Sequence, residues 1–491
     1  MLTLIMFLPL VAVILCTPLP KSMREAARWI ALFIAAINVV LSGFLLVSYK
    51  VGGGMQFEVM HRWIPQIGMN YHVGVDGISL PLVVLTTALT FLAVLASWKI
   101  KVKPKLYFAM LMLLSVGMIG VFCALDLILF YVFWELVLVP MYFLINEWGG
   151  ERRQYAAIKF FLYTFFGSVF MLVGIIALYL LTGTFDIIEL QNATADLPAF
   201  VAFGPQWWIF AAFLLGFAIK VPIWPLHTWL PDAHTEAPTA GSVLLAGIML
   251  KMGIYGFLRI ALPILPDAFR WFQPILAVLA VISIIYGAVV AFAQTDIKKL
   301  VAYSSVSHMG FAMLGIASGT AIGFAAAMAV SVSHGLTTGM LFFLVGMIYE
   351  RTHTRKIKEL SGIAAQMPIY AAVFAFVSFA SMGLPLLSGF MGEFLSIVGA
   401  WEGFAAFDMQ WLVVVAAVGI LLGGAYTLWL IQRVVFGDPS EAVEGQPDMN
   451  LREMAIIAPL AIACVAFGVY WALLLNYIDP AARTLARLIG G

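Results

Sequence analysis

Residues 217–231 read FAIKVPIWPLHTWLP. An apolar run ends at Lys220, and Pro222 and Pro225 follow at once. The prolines remove two backbone donors and leave the carbonyls of Ala218 and Val221 without helical partners. In water this is an ordinary helix end. In a bilayer bare backbone cannot face lipid, so the break must be buried in protein or line a hydrated cavity. Composition decides between the two settings. Of 491 residues, 63% are hydrophobic and 10% charged, with a mean hydropathy of +1.04. Soluble chains are near half apolar and a quarter charged. The fold class is therefore an all-α polytopic membrane protein, with little chain left for a soluble domain.

Moving outward, apolar stretches fall at about 2–20, 28–48, 80–98, 106–124, 125–146, 156–182, 207–230 and 238–262. Six more follow at about 272–294, 300–319, 321–350, 368–402, 410–436 and 453–475, which predicts about fourteen transmembrane helices. The opening MLTLIMFLPLVAVILCTP has no positive segment before its apolar run, and reads as the first span rather than a signal peptide. Lysine and arginine test the count. Loops after odd-numbered helices carry eighteen of the 26, including Lys21, Arg24, Lys298 and Lys299, and even loops with the tail carry six. That bias puts odd loops in the cytoplasm and both termini on the opposite side.

A second interruption lies in SMGLPLLSGFMGEF, residues 381–394, where Gly383, Pro385, Ser388 and Gly389 break the helix. Broken helices in corresponding positions mark inverted-repeat transporters. The spacing predicts helices 1–3 over 1–104, a five-helix unit over 105–265, and a second over 266–437. The fourth helix of each unit is broken. Residues 438–491 hold a loop, helix 14 and a tail.

Ionisable residues at mid-span cost about 2.5–3.5 kcal/mol each on insertion scales and mark functional sites by default. Glu135 is central in LILFYVFWELVLVPMYFL, Lys220 precedes the first break, Lys251 is central in SVLLAGIMLKMGIYGFL, and Glu393 follows the second break. His334 is central in AVSVSHGLTTGML, where core packing and a relay role are both open. His227, His308 and His234 read first as packed core histidines. Asp76, Asp126, Asp232 and Glu236 lie near span ends, where interfacial solvation is the default. Burial drives Glu and Lys toward neutrality and a nearby opposite charge drives them back, so a Glu–Lys pair that opens and closes is a two-state proton switch.

Other chemistries fit poorly. Cys16, Cys123 and Cys464 form no CxxC, and no cluster has metal-ligand spacing. There is no GxGxxG, no GxxxxGK[ST] and no GxSxG. A net charge of +1 gives no argument for nucleic acid.

The stretches FYVFWELVLVPMYFLI, KVPIWPLHTWLPDAHTEAPTAGSVLLAGIMLKMGIYGFLR, YSSVSHMGF, SHGLTTGMLFF and GLPLLSGFMGEF resemble the antiporter-like membrane chains of respiratory complex I, the proton-translocating NADH–quinone oxidoreductase. The likeness is dense over about residues 105–435. It implies that Glu135 and Lys220 form the charged pair of the first half-channel. Lys251 would connect the halves, His334 would relay between them, and Glu393 would end the second half. His227 and His308 lie in matching motifs. Glu at position 393, where related chains typically carry Lys, resembles the type called M in bacteria and subunit 4 in mitochondria.

The resemblance further implies a bacterial cytoplasmic or mitochondrial inner membrane. The partners would be other complex I membrane subunits, including two related antiporter-like chains. NADH, FMN, iron–sulfur clusters and quinone would belong to partner subunits, with no cofactor on this chain. Its own traffic would be protons and water. The alternatives are a chain of a stand-alone sodium/proton antiporter and a structural membrane subunit whose charges only hold helices together.

Overall fold

The computed structural model describes residues 1–20, 23, 25–192, 197 and 200–490. Lys21 and Arg24, two of the odd-loop charges, lie outside the described residues. Among these, eleven helices are long and apolar enough to cross a membrane. They are Ala26–Ser48, Ser79–Lys99, Pro104–Cys123, Leu127–Trp148, Arg153–Thr182, Thr239–Ile264, Pro266–Phe292, Ile297–Ala317, Ala321–Thr352, Gln410–Val434 and Leu451–Val469. The expected fourteen differ in three places. Leu2–Cys16 and Pro205–Lys220 are apolar but shorter, and the stretch at 368–402 divides into Pro368–Ser381 and Ser388–Gly403.

The helix ends follow local chemistry. Pro104, Pro205, Pro266 and Pro368 each stand in the first turn, where no backbone donor is missed. The Asp126 carboxylate accepts from the amides of Ile128 and Leu129, and Asp296 accepts from those of Lys298 and Lys299. Asn450 and Glu453 close a reciprocal cap on the last span.

A relation between the halves appears at the level of single bonds. Leu127 N donates to Phe185 O and Ile187 N to Leu125 O; Ile297 N donates to Arg355 O and Ile357 N to Thr295 O, each 170 positions later. The Thr184 hydroxyl donates to Glu189 at 2.6 Å, and that of Thr354 to Glu359 at 2.5 Å. The breaks correspond too, at a spacing of 161. Ile223 N donates to Ala218 O at 3.0 Å and Leu226 N to Ile223 O at 2.7 Å, matched by Leu384 N to Phe379 O and Leu387 N to Leu384 O, both 3.1 Å. The Ala218 carbonyl is thus satisfied from inside the break, contrary to the sequence reading. The chain uses a wider turn, reaching the fifth residue instead of the fourth.

Two elements were not anticipated. Gln56–Ile64 pairs antiparallel with Met69–Val75, with Met60 opposite His72 and a turn at Gly68. Ala472–Leu488 is a helix beyond the last span, held where Arg270 donates to the Ile489 carbonyl at 2.6 Å.

Thr239–Ile264 and Ala321–Thr352 are enclosed by protein along their whole spanning windows, whereas only a third of the window is buried in Ala26–Ser48 and in Leu451–Val469. The enclosed pair carries Lys251 and His334. Close helix approach is set by small residues: a Cβ on Gly392 would lie 2.6 Å from Val330 N, so this glycine brings Glu393 against Ala321–Thr352.

Candidate functional site

Lys251 lies between two π-helical turns, Leu245–Met249 and Phe257–Ala261. Its Nζ donates to the Ala246 carbonyl and lies 2.6 Å from His334 Nδ1. With Lys251 as the ammonium, His334 Nδ1 accepts and the ring proton is on Nε2; with Lys251 as the amine, the nitrogen of Lys251 can accept and the roles reverse. Moving one proton along this bond leaves an amine and an imidazolium. The His334 ring is 5.7 Å from that of His308. His308 Nδ1 donates to Glu393 Oε1 at 2.8 Å, and Tyr426 Oη lies 3.4 Å from His308 Nε2. A cavity of about 10 Å³ between them, lined by His308, Ser333, His334, Thr337, Ser381 and Glu393, has the size of one water.

Four of the seven residues singled out from sequence, Lys251, His334, His308 and Glu393, therefore form one buried line. All four are at most 7% exposed. His308 was read from sequence as a packed core histidine, and its partner lies 85 residues away. The line crosses four helices: Thr239–Ile264, Ala321–Thr352, Ile297–Ala317 and Ser388–Gly403.

The other three residues are separate from it. Among the described residues Lys220 Nζ has no hydrogen-bond partner. It sits 5.3 Å from the ring of Trp134 and 5.9 Å from that of Phe160. Glu135 has Tyr131 and Ser168 beside it and interacts with Lys220 through space. Glu135 Oε1, like Lys220 Nζ, has no hydrogen-bond partner among the described residues, so no direct bond closes the pair in this structure. His227 is buried with its ring 5.1 Å from Tyr286.

The acidic residues assigned to interfacial solvation are engaged. Lys159 holds Asp232 at 2.6 Å, and Arg152 N donates to Glu236 at 3.0 Å. Asp76 is 2.5 Å from Arg259. Burial works against its charge, but the guanidinium and two amides hold the Asp76 carboxyl below its ordinary range. Asp126 accepts from Asn70 N as well as from its own helix, yet burial pushes it up. His72 Nδ1 lies 2.5 Å from Asp186 Oδ2, tying the hairpin to the loop after Arg153–Thr182. Burial opposes the charged ring, and the bonds to Asp186 and Glu58 outweigh it and raise His72.

Sequence reasoning passed over Lys298 as a cytoplasmic loop charge and His234 as a core residue. Lys298 is 8% exposed and donates to the Ala237 carbonyl at 2.5 Å. Its signal was its place, in the first turn of a helix capped by Asp296. Among the described residues no group of His, Cys, Asp and Glu has the arrangement of a metal site. Cys16, Cys123 and Cys464 are free and buried.

Residues 124–423 match the family described as NADH:quinone oxidoreductase/Mrp antiporter, TM. NADH-quinone oxidoreductase subunit M of Rhodobacter capsulatus is 43% identical, over 99% of this chain and 96% of its own length. NAD(P)H-quinone oxidoreductase chain 4 2 of Thermosynechococcus vestitus is 40% identical over 100% of this chain and 92% of the relative. Among solved structures, a chain of respiratory complex I from Thermus thermophilus with bound NADH superposes with a TM-score of 0.90. The two are 32% identical, and 100% of each is covered. The buried line, both breaks and Glu135 all fall inside the matched region, and the chain belongs to the NADH:quinone oxidoreductase/Mrp antiporter membrane family, of the subunit M and chain 4 type.

Proposed function

We propose that this chain is a proton-translocating membrane subunit of an NADH–quinone oxidoreductase. NADH oxidation and quinone reduction, with FMN and the iron–sulfur clusters, belong to partner subunits, and this chain carries charge only. The single observation behind the reading is the buried line from Lys251 through His334 and His308 to Glu393, whose one gap, between the two histidines, holds a cavity the size of one water. Each member is a residue type that exchanges protons once buried.

In this mechanism Glu135 and Lys220 form the switch. When apart, as here, Lys220 lacks its counter-charge and is poised to release a proton toward Lys251. When together, both return to their ionised forms. Moving one charge against 100 mV requires about 2.3 kcal/mol, within reach of making and breaking one buried ion pair. The two five-helix units, 105–265 and 266–437, act as the half-channels, and Glu393 releases protons on the far side. The basic odd loops support a cytoplasmic assignment for that face and a non-cytoplasmic one for both termini. The membrane is the bacterial cytoplasmic or the mitochondrial inner one, and two related antiporter-like chains are the expected neighbours.

The test is NADH-driven quinone reduction in native membranes carrying Glu135→Gln, with assembly followed on a native gel. A large loss in an assembled complex supports the reading. An unchanged rate rejects it and returns the chain to an antiporter or scaffold role.

A further inference from the structure

Ser333 stands one residue before His334 on Ala321–Thr352 and lines the cavity of about 10 Å³ that borders both His334 and His308. Its hydroxyl donates to Ser388 Oγ at 2.9 Å, and Ser388 Oγ lies 3.1 Å from Cys464 Sγ. The three side chains come from three helices: Ala321–Thr352, Ser388–Gly403 and the last span, Leu451–Val469. Ser388 opens the helix that follows the second break. Gly468 leaves no room for a Cβ against the Leu386 backbone, which seats the last span on that break. Ser333 is 4% exposed, and Ser388 and Cys464 have no exposure. The line from Lys251 to Glu393 makes no use of this branch.

A hydroxyl has one proton and two lone pairs. The Ser333 proton is spent on Ser388, and that of Ser388 is left for Cys464. Ser333 therefore has only lone pairs for the cavity it lines. His334 Nε2 also borders this cavity and has no hydrogen-bond partner among the described residues. While Nδ1 accepts from Lys251, Nε2 carries a proton to give. A buried water takes about three polar partners. Here it accepts from His334 Nε2, donates one hydrogen to Ser333 and keeps the other for His308. We propose that Ser333, anchored by Ser388 and Cys464, is a positioning residue of the relay, fixing the orientation in which a water carries a proton from His334 to His308. The inference rests on the relay reading above. Lys251 gives a proton to His334 Nδ1 as His334 gives its Nε2 proton to the water. The water gives one of its own to His308 Nε2, and the His308 Nδ1 proton passes to Glu393. The net change is an amine at Lys251 and a carboxylic acid at Glu393, with the water restored.

The test uses the intact complex in native membranes, with NADH-driven proton pumping measured in H2O and in D2O. Ser333→Ala removes the acceptor. It is expected to assemble and to lose about fivefold in pumping, or about 1 kcal/mol, the net worth of one hydrogen bond. The solvent isotope effect should rise with that loss, because the transfer through the water then limits the rate. Ser333→Thr, which keeps the hydroxyl, should recover most of the rate and the original isotope effect. A purely structural role moves assembly or rate and leaves the isotope effect alone. Lost pumping with a raised isotope effect supports the proposal, and any other result from assembled Ser333→Ala overturns it. Should that variant fail to assemble, Ser388→Ala, which leaves Ser333 in place without its anchor, decides by the same two readings. Lys251→Met run alongside separates the two levels. If it retains full pumping, the relay reading itself fails; if it alone is inactive, only the role of Ser333 fails.

Discussion

Lys251 Nζ and His334 Nδ1 lie 2.6 Å apart on two helices that neighbouring helices fully enclose. Among the described residues His334 is the only side-chain hydrogen-bond partner of a lysine with no exposure. Lys251→Met keeps the length and removes the proton. The complex is expected to assemble while coupled NADH–quinone activity falls about tenfold, the equivalent of about 1.4 kcal/mol. Lys251→Arg should fall as far, because it cannot cycle. Activity per assembled complex is the measurement.

Gly383 has φ +80°, and a Cβ there would stand 2.7 Å from Glu393 Oε2. Gly383→Ala is therefore expected to cost about 1–2 kcal/mol from backbone conformation alone, and to displace the carboxylate from His308. Thermal denaturation of the purified complex reads the first effect. A change in the pH profile of pumping reads the second.

The hairpin should loosen at both ends of the pH scale. His72 is raised above its ordinary 6.5, so its contribution is complete below that value and is lost as pH rises through the folded-state value. Asp186 is lowered below 3.8, since its bonds to His72 and two amides outweigh burial. Its contribution is present above 3.8 and is lost as pH falls through the lower folded-state value. The hydrogen-exchange protection of residues 56–75, taken relative to the intrinsic rate at each pH, should thus fall above neutrality, and His72→Gln should abolish that pH dependence. A protection factor flat from pH 6 to 9 would contradict the latch.

Arg351 and Glu453 meet in a two-pronged contact of 2.6 and 2.9 Å, almost fully buried, between Ala321–Thr352 and the last span. Removing one partner leaves a buried charge alone and is expected to cost about 3–5 kcal/mol. Arg351→Met should deplete the assembled complex on a native gel. The double variant Arg351→Met with Glu453→Met should recover much of it. Equal loss in single and double variants would remove the pair from the account.

Much of the fold was legible because a bilayer imposes length and polarity on every span. Glu135, Lys220, Lys251 and Glu393 stood out as charges where hydrocarbon was expected. What stayed hidden was distance. Nothing local to YSSVSHMGF shows that His308 meets Glu393, and nothing near Glu135 shows that Trp134 and Phe160 flank Lys220 instead. The hairpin at 56–75 was missed because it lies between apolar spans, and its bonds outside itself, to Leu125, Asp126 and Asp186, come from residues far along the chain. Lys298 was misread because charge statistics place a residue on a side of the membrane, and do not say where its ammonium turns.

The two enclosed helices bear on how the chain is made. Thr239–Ile264 and Ala321–Thr352 are among the less apolar spans, and protein encloses the spanning window of each in the finished fold. At synthesis each leaves the translocon before all of its neighbours exist, with a lysine or a histidine at its centre. Thr239–Ile264 must therefore be sheltered first by the helices made before it, and wait in that partial bundle until Ala321–Thr352 arrives. The order of translation becomes part of the design: a chain permuted to begin at its second half would present these helices to the bilayer unaccompanied.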